Sequence, residues 1–225
     1  MTTTWPSEQN ALRAEIVRVG ASLFQRGYVH SSAGNISARL TNEQGGGFLI
    51  TPTDACLGFL DPSQLAWVDD SGTQRSGERA SKTLALHRRI YDSAPEAHCV
   101  LHTHATHLVA LTLHGVWQTD DILPPLTPYQ VMKVGHVPLI AYRRPGDPAV
   151  ADAVAARIAA ARRPLRAVML ERLGPTVWHS SPATAMALLE ELEETARLWL
   201  LGGRTLTPLS DAQIEELRAQ FNAPW

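Results

Sequence analysis

The run LHTHATH holds three histidines, His102, His104 and His107. On a β-strand, residues i and i+2 point to the same face. A strand here would project His102 and His104 together, with Thr103 opposite. Two imidazoles held this way make half a site for Zn²⁺ or a similar divalent ion. His107 lies past the strand end, placed to orient a ligand or touch a substrate. The spacing alone leaves a purely structural role equally open, because His-x-His is a short pattern. A cage needs a third ligand. The remaining histidines are scattered: His87 falls on a helix, and it, His30, His98, His114, His136 and His179 read as structural or solvated.

Three further stretches suit an anion. In SSAGNIS, residues Ser31 to Ser37, small side chains, a glycine and Asn35 let the backbone bend and expose N–H groups, which can cradle phosphate. An ordinary loop has the same composition. In ITPTDA, Thr51 and Thr53 share a strand face and Asp54 begins a turn. Ser81 and Lys82 stand where a helix starts, offering free N–H groups and a cation.

The elements that must carry these residues alternate along the chain. A helix starts near Ser7, places Leu12, Ile16, Val19 and Phe24 at helical spacing and stops at Gly27. GGGFLITPT is a glycine turn entering a short strand, and SKTLALHRRIYDSAP is a helix opened by Ser81 and closed before Pro95. HCVLHTH reads as a strand, ATHLVALTLHG as a short helix ending at Gly115, and HVPLIAY as a strand. Asp147-Pro148 opens a helix over AVADAVAARIAAA. RAVMLERLGPTVW reads as two strand pieces bent at Gly174-Pro175. Ser181-Pro182 opens a long helix that ends at Gly202-Gly203, and SDAQIEELRAQF is a last short one, with Asp211 near its cap. Interleaved helices and strands predict a layered α/β domain whose sheet need not be parallel.

The chain has 225 residues, a net charge of −2 and two cysteines, Cys56 and Cys99, without CxxC spacing. That charge supplies no basic field for nucleic acid or an acidic membrane, so a small-molecule or protein partner is expected. The opening MTTTWPSEQN lacks a basic segment followed by an apolar one, and no long apolar run follows. A soluble cytoplasmic protein is expected, with its thiols reduced.

The runs SSAGNISARL, FLITPTDACLGFLDPSQL, ASKTLALHRRIY, CVLHTHATHLVAL and EELEETARLWLLGG, in this order, resemble the class II aldolase/adducin family over roughly residues 8–203. TPTDACLGFLDPSQL and ILPPLTPYQVMKVGHVPLIAYRRPGDPAVADAV look most like its 3-oxo-tetronate 4-phosphate decarboxylase branch. The resemblance implies one domain over 1–225 with a C-terminal extension from 204, folded as a three-layer α/β/α sandwich around a largely antiparallel sheet. It implies a homotetramer with sites between subunits, and a divalent metal held by three histidines, zinc first with manganese or iron as alternatives. The metal acts as a Lewis acid on a phosphorylated keto-sugar and stabilises an enediolate formed by aldol cleavage or loss of CO₂. The first two metal histidines map onto His102 and His104. Phosphate-binding positions map onto Asn35, the Thr53-Asp54 turn and the Ser81-Lys82 pair, where Lys82 suits the decarboxylase branch by holding phosphate or carboxylate.

Two positions depart from the family. Its acid/base glutamate stands four residues before the helix histidine, here His87, and that position is Thr83. Threonine is no general base at neutral pH without strong help. Its third metal histidine precedes a glycine, and that position is Leu173. Glu171, two residues earlier on the same expected strand, would face the same way. It is the candidate to complete a His102, His104, Glu171 metal set, or to replace the lost base; a surface glutamate ion-paired near Arg172 is the plain alternative. Three functional readings follow. One is a metal-assisted lyase on a small phosphorylated or carboxylated sugar acid, with Glu171 and Lys82 as catalytic groups and Asn35, Thr53, Ser81 and Lys82 on the anion. The second is an inactive oligomeric binding scaffold. The third is a repurposed enzyme, for example on a two-histidine, one-carboxylate metal site.

Overall fold

The computed structural model describes residues 5–225. Residues 1–4, part of the segment read above for a leader, lie outside the described residues. Eight strands form one sheet: β1 (Asn35–Arg39), β2 (Phe48–Ile50), β3 (Ala66–Val68), β4 (Gln74–Ser76), β5 (Cys99–His102), β6 (Leu139–Ile140), β7 (Ala167–Leu170) and β8 (Gly174–His179). Their order is β4-β3-β2-β1-β5-β8-β7-β6. Every pairing is antiparallel except β6 with β7.

The helices are α1 (Ser7–Gln25), α2 (Leu84–Ser93), α3 (Thr106–His114), α4 (Ala149–Ala160), α5 (Pro182–Leu201) and α6 (Asp211–Phe221). Alternation along the strands sends side chains into two separate cores. On one face Ile36, Ala38, Leu101, Met169 and Val177 pack under Ile16, Val19 and Leu23 of α1 and Leu188, Leu189 and Leu192 of α5. On the other, Val100, Val168 and Trp178 pack under Leu86 and Ile90 of α2 and Val154 of α4. Burying each such aliphatic side chain contributes about 1.5–3 kcal/mol. The result is the expected three layers. A small third cluster joins Ile214 of α6 and Trp225 to Val131, which lies in a π-helical turn.

Several expected boundaries hold for the reasons given. Ser181 accepts a hydrogen bond from the Thr184 N–H at 3.2 Å and Pro182 takes the first turn of α5. α3 stops at Gly115, which has φ +92°. Others move. SSAGNIS is not all loop: from Asn35 it is a central strand. The helix expected from Ser81 begins at Leu84, because the Ser81 hydroxyl accepts from the Thr83 N–H at 3.3 Å and shapes a turn instead. β5 ends at His102, so His104 lies beyond the strand. HVPLIAY yields only the two residues of β6. Among the described residues no helix is long and apolar enough to cross a membrane.

Candidate active site

The middle of the sheet sets three site residues side by side. Asn35 of β1 pairs with His102 of β5, and His102 pairs with Thr176 of β8. The His102 Nδ1 lies 3.0 Å from the Thr176 hydroxyl, which fixes the ring and leaves Nε2 for an outside partner. His102 is buried, and desolvation pushes its pKa down to about 3, so the imidazole is neutral and able to ligate. His104 is also shifted down, first by burial and then by His30. The His102 and His104 rings stand 5.2 Å apart, edge to face. Thr103 between them is fully buried. The pair expected from the sequence is therefore present, although it straddles the strand end.

Asn35 is held from behind. Its Oδ1 can only accept, so His87 Nε2, 2.6 Å away, carries the proton. His87 Nδ1 then accepts from the Ser37 hydroxyl at 2.7 Å, and Ser37 accepts in turn from Tyr91 at 2.7 Å. His87 is fully buried and burial pushes its pKa down to about 3, which keeps this chain of bonds in one protonation state. His87 is structural, as expected, and it turns the Asn35 amide group outward.

The other two anion turns are brought together by a bridge between Pro52 and Ala80. Their backbone N–H groups are less free than expected. The Thr53 N–H donates to Arg79 O at 2.8 Å and the Ser81 N–H to Thr51 O at 3.2 Å. What remains on offer are the hydroxyls, with the Ser81 and Thr83 oxygens 2.9 Å apart, and the exposed Lys82 ammonium, 3.4 Å from Asp54.

Lys82, Thr83, His102, Glu171 and Leu173 line one cavity of about 130 Å³. Both departures from the family pattern thus face the same space as His102. Arg143 and Arg144, on the loop between β6 and α4, also line it, together with Asp147 and the apolar Ile140 and Leu170. Sequence reading passed over these arginines and Thr176. The paired arginines before the Pro145-Gly146 turn were the available signal; Thr176 had none.

Glu171 differs from expectation. β7 ends at Leu170, and residues 171–173 form a turn in which Arg172 has φ +61°. The two-residue alternation that aligned Glu171 with Leu173 therefore does not apply. The Glu171 carboxylate accepts from the Tyr142 N–H at 2.8 Å and holds the arginine loop. No group of three or more His, Cys, Asp or Glu side chains converges as a metal cage among the described residues, so His102, His104 and Glu171 do not form one as placed. The histidine pair fits two positions of a divalent-metal site; Leu173 cannot fill a third. His107 is occupied elsewhere. Its Nδ1 lies 2.8 Å from Glu193, whose two oxygens also accept from the His107 and Leu108 N–H groups at the start of α3. His136 is bonded to Asp121 and His179 to Ser180.

The chain is similar to known proteins over most of its length. The family model for the class II aldolase and adducin N-terminal domain matches residues 14–200. A 3-oxo-tetronate 4-phosphate decarboxylase of Cupriavidus necator is 59% identical over 224 residues, covering 97% of this chain and 100% of that one. A protein of the same name from Pectobacterium atrosepticum is 43% identical over 94% of each chain. The crystal structure of YgbL from Escherichia coli superposes with a TM-score of 0.86 at 40% identity, covering 94% of this chain and 100% of that one.

Proposed function

Because the chain belongs to the class II aldolase and adducin family, we propose that it is a carbon–carbon lyase that decarboxylates 3-oxo-tetronate 4-phosphate or a close analogue. The names of its relatives support that substrate class. The observation that carries the reading is the shared cavity, where His102 meets three cationic side chains, Lys82, Arg143 and Arg144, and an apolar wall of Ile140, Leu170 and Leu173. A substrate anionic at both ends suits the cations, and neutral CO₂ suits the wall.

The chemistry also explains how Thr83 is tolerated. Aldol cleavage needs a base to take a proton from a substrate hydroxyl. A 3-oxo acid needs none: the bond to the carboxylate breaks, its electron pair passes to the ketone oxygen, and the resulting enediolate takes a proton at carbon. CO₂ and dihydroxyacetone phosphate are left. The protein must then bind the phosphate, stabilise the oxygen as it gains charge, and deliver one proton. In this reading the Asn35 amide group and the Thr53 and Ser81 hydroxyls hold the phosphate. Lys82, between those turns and the cavity, places its cation against developing charge. Arg143 and Arg144 draw the substrate in. Glu171 acts by fixing the loop that carries them. A divalent cation held by His102 and His104 would add Lewis-acid stabilisation of the same oxygen.

Assembly as a homotetramer and a cytoplasmic location belong to the same reading. Exposed Leu113, Tyr129, Leu201 and Phe221 supply apolar surface for subunit contacts. The test is direct: the full chain is given the 3-oxo acid phosphate, and CO₂ and triose phosphate are measured. Turnover that falls in Lys82→Gln supports the proposal; wild-type protein that leaves the substrate's spontaneous decay rate unchanged overturns it.

A further inference from the structure

We infer that the far end of α4 carries a second small-molecule site, built for a metabolite with a phosphate and a further anionic group. A cavity of about 550 Å³ opens there, and it shares no lining residue with the cavity at His102. That volume lies in the range of ordinary ligand pockets. α4 borders both cavities. Val150 and Ala151 of its first turn face the one at His102, and Arg157 and Ala160 near its end face the other. The 12 residues of the helix span about 18 Å, so the two places are separate.

The lining is cationic in a chain whose net charge is −2. Arg157 of α4, Arg162 and Arg163 of the loop after it, and Arg218 of α6 bring four guanidinium groups against two carboxylates, Asp120 and Asp121. Both carboxylates are already engaged. Asp120 accepts from Arg157 Nη1 at 2.7 Å. Asp121 accepts from the Val137 N–H at 3.0 Å and lies 2.6 Å from His136 Nδ1. His136 stacks in turn on the buried Trp225, with ring centres 4.5 Å apart. Arg218 is anchored beside them: its Nε donates to Trp225 O at 2.7 Å and its Nη1 to the exposed Glu215 at 3.1 Å, which leaves Nη2 over. Arg162 and Arg163 are exposed, and among the described residues neither forms an ion pair. The C-terminal end of α4 offsets only about half a charge. Arginine forks match the oxygens of phosphate and carboxylate with paired N–H bonds, and a cleft lined by one sign of charge gathers counter-ions. Ala160, Ala161 and Leu165 add an apolar side, which suits a carbon skeleton between two anionic groups better than a bare hydrated ion.

The test needs no turnover, so this site and the proposed lyase stand or fall separately. Tag-free protein is titrated by calorimetry with 3-phosphoglycerate, which carries a phosphate and a carboxylate, while hydrogen exchange is followed over residues 157–165. A binding event that slows exchange there is expected. Arg162→Gln combined with Arg163→Gln weakens that event about tenfold or more and leaves the melting temperature in place, since both side chains are exposed. Lys82→Gln leaves the event as in wild type, which distinguishes it from binding at the His102 cavity. No protection over 157–165, equal protection in the double variant, or the same protection by chloride at matched ionic strength overturns the assignment.

Discussion

The two walls that flank His102, one behind Asn35 and one lining the cavity, are built by opposite means. On the β1–α2 side, Asn35, Ser37, His87 and Tyr91 form one buried chain of hydrogen bonds, with each proton placed by the next acceptor. On the β7–β8 side, a turn at residues 171–173 and an exposed loop carrying Arg143 and Arg144 are tied by a single carboxylate contact, Glu171 to Tyr142. The first wall holds its polar groups by burial, so altering one orphans the rest. The second can be altered cheaply, and Leu173 stands there. Geometry that a core must hold resists change more than geometry at a loop.

The largest effect that would break this contrast is in the buried wall. His87→Ala leaves a cavity and unpartnered Asn35 and Ser37 groups, and should cost about 3 kcal/mol by denaturant unfolding. If it costs as little as a surface change, the wall is not held by burial. Next comes Lys82→Gln, expected to lower kcat/KM about 100-fold, since it removes a cation from developing charge, with the melting temperature unchanged. The acid limb of stability follows. The folded His87 pKa is depressed to about 3 against an ordinary 6.5. The unfolded chain therefore binds the proton first. Stability from this group is full above pH 6.5 and is lost as pH falls towards 3, at up to about 1.4 kcal/mol per pH unit. Replacing His87 with glutamine should flatten that slope in unfolding series across this range. On the exposed wall, Arg144→Gln should raise KM about tenfold with kcat nearly constant, and high salt should shrink the difference. Smallest of all, Thr83→Ala should change the decarboxylation rate less than about threefold, because no step takes a proton there. A larger loss would make Thr83 part of the chemistry.

Local signals in the sequence located most helices and the histidine pair. Ser181-Pro182 and Gly115 mark ends through rules that act within a few residues. The alternation of His102 and His104 survived although the strand ended between them, because Thr103 remained buried. What was not visible depended on distant partners or unmarked turns. Asn35 starts a strand since β2 and β5 flank it, while its own neighbours SSAG read as a loop. The chain His87–Ser37–Tyr91 joins residues about fifty positions apart. Glu171 left its expected alignment because Arg172 adopts a left-handed turn that usually announces itself by glycine or asparagine.

The row Asn35, His102 and Thr176 crosses three adjacent central strands, and its last two members are 74 positions apart. Pairings of such separation close late when a chain folds, after the local helices have formed. The site thus comes into being only with the completed middle of the sheet. Partly folded chains have nothing with which to recognise the substrate. Any ligand that engages this row binds finished molecules alone, and draws the folding equilibrium towards them by mass action.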